Sequence, residues 1–195
     1  MKLRTAFLGS LALLLFAGAA HSADKYMIDA VHSYVGFSVR HLVISNVKGN
    51  FSDFSGTITV DGADPGKSAV DVTIKAASID TDNDGRDTHL KSADFFDVQK
   101  YPDITFQSTK VEKTDAGYTL YGKLTMHGKT NDVIIPFQFN GKIKDPQGAE
   151  RIAFEGQTSL SRSAYDITWN KALETGGVVV GDEVKIDLQI EAVKM

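Results

Sequence analysis

From Val35 to the C-terminus, apolar and polar residues alternate with a period of two. Val35, Phe37 and Val39 share one face of a first strand, and Phe54, Gly56, Ile58 and Val60 share one face of the next. Val70, Val72 and Ile74 make a third run, Ile104 and Phe106 a fourth, and Tyr118, Leu120, Leu124 and Met126 a fifth. Val133, Ile135, Phe137 and Phe139 form a sixth, and Ile152 and Phe154 open a seventh. In the last run Val184, Ile186, Leu188 and Ile190 alternate strictly with charged or amide side chains. Such alternation marks strands with one apolar and one wet face, the habit of antiparallel sheets. Short turns such as Asp61-Gly62, Asp115-Ala116-Gly117, Asp145-Pro146-Gln147-Gly148 and Gly181-Asp182 suit hairpin connections. Eight such runs predict an all-β, eight-stranded antiparallel barrel, closed or nearly so, because closure removes unpaired edges. Its interior either fills with side chains or holds one small ligand.

One connection breaks the rhythm. More than twenty residues separate the strand ending near Ile79 from the one starting at Ile104. A connection that long usually carries structure or function. A short helix over Asp87 to Asp97, with Leu90, Phe95 and Phe96 pointing inward, would make the segment around residues 80–102 a cap on one barrel end. Gly36, Gly56, Gly122, Gly141 and Gly156 fall inside strand runs, where glycine permits a sharp bend or leaves room for a ligand.

The leader lies outside this pattern. Lys2 and Arg4 precede an apolar stretch from Ala6 to Ala20, with small residues Ala20 and Ser22 behind it. That is the layout of a secretory signal peptide over residues 1–22, too short for a membrane span. Residues 23–195 then form a single domain with no integral span, exported to the periplasm. The 195-residue chain has 21 Lys plus Arg against 25 Asp plus Glu, a net charge of −4, and removing the leader makes it more acidic. It lacks the basic footprint of a nucleic-acid binder. With no cysteine, disulfides, thiolate nucleophiles and thiolate metal sites are excluded.

The polar candidates are few. Asp80 to Gly85 imitates the start of an EF-hand loop, but Lys91 stands where the twelfth-position carboxylate belongs, so the run reads as a polar turn. His32, His41, His89 and His127 show no metal-ligand spacing, and no G-x-S-x-G elbow is present. No catalytic or metal residue is therefore assigned. Arg40 and His41 end the first strand, while Arg86, Asp87 and His89 lie on the cap. Arginine's planar fork suits an anionic head group at a barrel mouth. Alternatively, Arg86 pairs with Asp87 or Asp94 to pin the cap. Trp169 and Tyr165 either shield a pocket entrance or cover a barrel edge.

Several motifs occur together and in order. Asp29 and His32-Ser33 precede Phe37-x-Val39-x-His41-Leu42, and Gly49-x-Phe51-x-x-Phe54-x-Gly56 and Ala77-x-Ile79-Asp80-Thr81 follow. The most specific block is Arg86-Asp87-x-His89-Leu90-Lys91-Ser92-x-Asp94-Phe95-Phe96, then Tyr101-Pro102 and Thr105-Phe106-x-Ser108-Thr109. Leu124-Thr125-x-His127-Gly128, Ser161-Arg162-x-x-Tyr165 and Val180-Gly181-Asp182-Glu183-Val184 complete the series. In these residues the chain resembles the YceI-like family of exported bacterial proteins, with Tyr165 where Phe is typical. The resemblance implies a lipocalin-like barrel that holds a polyisoprenoid, an isoprenoid-quinone-like lipid or another long amphiphile, with no cofactor besides that ligand.

The leading expectation is thus a periplasmic lipid-binding protein for transport, storage or sequestration. Val35, Phe37, Ile58, Ile74, Phe106, Leu124, Phe137 and Phe154 are the expected cavity liners. Arg40, His41, Arg86, Asp87 and His89 are the expected head-group or cap residues. The rivals are an enzyme using a His/Asp pair, such as His89 with Asp87, on an isoprenoid-type substrate, and a filled, ligand-free structural or stress protein. Homodimerisation stays open.

Overall fold

The computed structural model describes residues 23–174 and 176–195; the leader predicted over residues 1–22 lies outside them. Eleven strand segments form one antiparallel sheet. They are β1 (Asp24–Ile28), β2 (Tyr34–His41), β3 (Ser45–Phe51), β4 (Phe54–Val60), β5 (Ala69–Lys75), β6 (Ile79–Asp80), β7 (Asp103–Thr114), β8 (Gly117–Met126), β9 (Lys129–Lys144), β10 (Glu150–Ser161) and β11 (Val180–Lys194). The order β1-β4-β5-β7-β8-β9-β10-β11 closes on itself where β11 pairs β1, so the sheet is an eight-stranded barrel.

The remaining segments, β2, β3 and β6, are continuations of β1, β4 and β5 past a break. β2 follows β1 along β11, β3 pairs β2, and β6 pairs β3. The first break is held by side chains of the Asp29 and His32-Ser33 motif. Asp29 accepts from the Val31 amide (3.1 Å), while the Ser33 hydroxyl accepts from the Glu191 amide (2.9 Å) and donates to its carbonyl (3.2 Å). Satisfying the strand's backbone groups in this way lets the wall turn without leaving orphaned donors.

At the far end β6 no longer reaches β7, and the 81–102 segment fills the gap. Its helix α1 spans Asp84–Lys91, starting three residues before the expected Asp87 and ending well short of Asp97. The reason is the cap: the Asn83 side chain accepts from the Arg86 amide (2.9 Å), satisfying a donor of the first turn. Asp80 accepts from the Asp82 amide (2.9 Å), so the EF-hand-like run is a turn that feeds this helix.

The inside of the barrel is the core. Tyr26, Ile28, Val35, Phe54, Ile58, Ile152 and Ala192 form its buried cluster. Two glycines show how the strands fit. A Cβ at Gly122 would lie 2.4 Å from the Phe106 ring, so that ring occupies the missing side chain's place. Gly141 takes φ +138 beside a register shift between β9 and β10, where the strand's parity flips. Beyond the flip, Lys142 lines the interior and Ile143 faces out.

Opposite the cap, Arg151 ties the ring closed. Its guanidinium reaches Asp145 (2.8 Å), Asp29 (2.7 Å) and Glu191 (2.6 Å). The hydrogen bond from Arg151, then that of His32, lowers the Asp29 carboxyl to about 2. A folded value below the ordinary carboxylate range contributes stability that is present above about pH 4 and lost as pH falls toward 2. Denaturant titrations across pH 2–6 should show this slope, and Asp29→Asn should flatten it. An unchanged slope in that variant would refute the assignment.

Candidate functional site

An elongated cavity of about 580 Å³ runs inside the barrel. The ten residues of β8 rise at ~3.3 Å each. With a usual tilt near 40° they give a barrel about 25 Å tall. The cavity wall contains Val35, Phe37, Ile58, Ile74, Phe106, Leu124, Phe137 and Phe154. Tyr118, Leu120, Ile135, Leu188 and Ile190 join them from the same alternating faces.

Aromatic contacts grade along the cavity. Phe37 meets Phe51 at 5.8 Å, and Phe51 meets Phe96 of the cap segment edge-on at 5.8 Å. Phe95 is buried and packs against Trp169 (5.2 Å), while His89 stands edge-on to both rings. This cluster covers one end. Toward the other end Tyr118 stacks on Phe137 (5.3 Å), and Phe154 contacts both Phe137 and Phe139.

Polar lining concentrates at that second end, where Asp24, Asp61, Ser68 and Lys142 border the cavity. Lys194 pairs with Asp24 (2.7 Å), and Lys142 with Glu150 (3.3 Å). The Tyr26 hydroxyl donates to Glu150 (2.6 Å). Burial, then that carboxylate, pushes the Tyr26 phenol above its ordinary range, so it remains a donor. Cations and carboxylates are nearly balanced here. A head group at this rim meets hydrogen-bonding partners without a strong excess of either charge.

Of the five residues expected to serve a head group or the cap, Arg86, Asp87 and His89 lie on the cap helix. Among the described residues, neither Arg40 and His41 nor Arg86, Asp87 and His89 line the cavity. Arg40 is exposed on the outer face of β2, and His41 ends that strand. Arg86 does pin the cap, but its partner is Thr81: Nε donates to the hydroxyl (2.7 Å) and Nη2 to the carbonyl (2.6 Å). Buried Asp87 accepts from the same hydroxyl (2.5 Å) and from the Thr81 amide (3.0 Å). His89 pairs with Asp94 (2.8 Å). The His89/Asp87 acid–base pair is therefore not assembled. Thr81, the hub of the arrangement, escaped sequence reasoning because a lone threonine in a polar turn carries no distinguishing signal.

Asp29, His32 and Glu191 bring ligand-type atoms within 4.8 Å of one another. Arg151 already bonds both carboxylates, so the charge a cation would supply is in place. Trp169 and Tyr165 belong to the segment between β10 and β11. Tyr165 is buried, its carbonyl hydrogen-bonded to His127 (2.9 Å), and Trp169 covers the cap.

Comparison with known sequences matches the YceI-like domain over residues 26–192. The chain belongs to the YceI-like family. One relative, the UPF0312 protein of Ectopseudomonas mendocina, is 43% identical over 157 residues, covering 79% of this chain and 82% of the relative. Among solved structures, the Campylobacter jejuni YceI protein is 37% identical with a TM-score of 0.68, covering 80% of this chain and 90% of that one. Burkholderia cenocepacia BcnA is 25% identical with a TM-score of 0.73, covering 84% and 98%. A polyisoprenoid binding domain from Saccharophagus degradans shares the fold at 16% identity, TM-score 0.61, covering 87% and 98%. The YceI-like motifs thus map onto definite jobs: Ser33 at the strand break, Thr81, Arg86 and Asp87 at the cap, Phe106 over Gly122.

Proposed function

We propose that the protein holds a long-chain isoprenoid lipid, or a similarly shaped amphiphile, inside its barrel as a carrier or store. The observation that carries this reading is a largely apolar cavity with its charged lining groups Asp24, Asp61 and Lys142, and Ser68, at one rim; Glu155 and Thr158 add polar atoms further along β10. That asymmetry suits a molecule with one polar end and a long apolar tail. Burying on the order of 500 Å² of tail would contribute roughly 12 kcal/mol before ordering costs remove several. Binding needs no chemistry. The fold shared with a polyisoprenoid binding domain supports the ligand class, and Asp24, Lys142 and Ser68 are the groups we assign to the head. The leader read in residues 1–22 supports a periplasmic location. Among the described residues no helix is long and apolar enough to cross a membrane.

Displacement of an environment-sensitive apolar dye by polyprenols of increasing length tests the assignment. Saturable, one-to-one displacement that strengthens with tail length is expected. Failure of every chain length to displace the dye would remove the carrier reading.

A further inference from the structure

At the capped end of the barrel, the hairpin between β2 and β3 presents three consecutive apolar side chains to solvent. Leu42, Val43 and Ile44 are 37%, 56% and 82% exposed, and Val178 of the adjacent segment is 41% exposed. The turn closes with the Ile44 amide on the His41 carbonyl (3.2 Å), and its two central residues, Leu42 and Val43, have φ of 50° and 66°. A turn with two such residues favours Asn-Gly, because a side chain is strained there and a β-branched one most of all. Reversing the chain therefore does not explain this sequence. Backbone strain and apolar exposure both oppose folding, yet the hairpin carries both. Residues kept under strain in a fixed geometry point to function.

The tip is held in position. The Leu42 amide donates to the Val179 carbonyl (2.8 Å), and Val43 packs against Gly177, whose added Cβ would lie 3.0 Å from the valine methyl. Cations stand behind it. Arg40 is beside the turn, and Lys48 and Lys185, both opposite Ser38, lie one ladder step further down the same outer face. Lys171 lies on the neighbouring segment with its ammonium over the Trp169 ring (5.9 Å). Among the described residues, none of these four has a carboxylate within ion-pair distance. Glu174 and Glu183 are the exposed acids nearest the tip, Asp182 is engaged by Ser161 and Ser163, and Asp187 and Asp80 lie one ladder step or more beyond Lys185 and Lys48, further from the tip. Arg40 next to the turn, followed by Lys48 and Lys185, thus puts cations without ion-pair partners among the described residues closest to the apolar tip on a chain of net charge −4.

We propose that the Leu42–Ile44 tip docks the barrel on an anionic bilayer. The apolar wedge enters the boundary between head groups and acyl chains, and the row of Arg40, Lys48 and Lys185 meets the anionic head groups. The wedge is too small for the alternative of a stable protein interface, which needs about 800 Å² from each partner. This docking is independent of what the barrel holds.

Flotation with phosphatidylcholine vesicles, with and without phosphatidylglycerol, tests it on protein lacking the leader. The protein should float with the anionic vesicles and bind the neutral ones about tenfold more weakly. The triple variant Leu42→Asn, Val43→Gly, Ile44→Ser should lose about tenfold or more of the anionic binding. Because that variant relieves the turn, it should melt at or above the wild-type temperature, which separates lost docking from lost folding. Arg40→Gln with Lys48→Gln, or raised salt, should weaken anionic binding severalfold without changing the weak neutral binding. Equal partition to both vesicle types, no flotation at all, or a triple variant that floats like wild type would overturn the proposal. So would a wild-type dimer in sedimentation that the triple variant abolishes, since the tip would then be a contact between copies.

Discussion

Replacing Ile135 with tryptophan should abolish uptake of a long isoprenoid while leaving the barrel folded. Ile135 sits midway along β9, opposite Leu120 of β8, and its side chain lines the cavity. An indole at this point projects into the space a tail would occupy. Each ~100 Å² of tail surface denied burial costs about 2.5 kcal/mol, close to a hundredfold in affinity. Overpacking ordinarily destabilises a core, but here the added atoms face cavity volume, so a melting temperature within a few degrees of wild type is expected. The neighbouring residue provides the control. Ile134 is 54% exposed on the outer face of the same strand, and Ile134→Trp should bind as wild type does. Equal binding by both variants would show that the cavity is not the binding site.

The largest loss of stability is expected from Arg162→Ala. Arg162 is buried and, among the described residues, has no salt-bridge partner; its guanidinium is spent on three backbone carbonyls. Nε donates to Gly181 (2.9 Å), Nη1 to Ile167 (2.7 Å) and Nη2 to Val180 (3.3 Å). These bonds fasten the segment that carries Trp169 to the start of β11. Burial lowers the pKa of the guanidinium and the Asp182 carboxylate partly offsets this. Alanine would strand three carbonyls and leave a void, costing about 3–5 kcal/mol. For a domain of this size that is a fall in melting temperature of roughly 10 °C. Arg162→Lys should recover only part of it, because one ammonium cannot reproduce a planar fork aimed at three carbonyls. A fall of only a degree or two in the alanine variant would mean that solvent satisfies those carbonyls.

The barrel was legible because each of its eight positions repeats one physical demand, an apolar face toward a shared interior. Val35, Ile58 and Phe154 obey it, and so does every residue selected as a liner. Parity alone misleads at bulges. Val111 turns inward only because of the register shift between Ser108 and Lys110, and nothing in the alternation marks that shift. β1 and β3 were missed for another reason: β1 has five residues, and β3 reads Ser-Asn-Val-Lys-Gly-Asn-Phe, too polar to announce a strand. They form because β11, β2 and β4 offer them unpaired edges.

The polar end of the site was not legible. Arg86, Asp87 and His89 cluster in sequence, which leaves a head-group site and a pinned cap as open readings, and their local partners Thr81 and Asp94 engage them in the cap. Lys142 and Glu150 meet across the β9–β10 hairpin, but Asp24 and Lys194 come from opposite ends of the described chain, and only ring closure between β1 and β11 brings all four to one rim. A rim completed by closure leaves no local motif for the residues that closure adds.

The central claim is that the barrel carries a lipid, and its most direct test is the protein as the cell makes it. Purified natively without detergent and extracted with organic solvent, it should release a long-chain isoprenoid, identified by mass spectrometry, at close to one molecule per barrel. An extract without such a lipid, from protein that also fails to take up added polyprenol, would contradict the account.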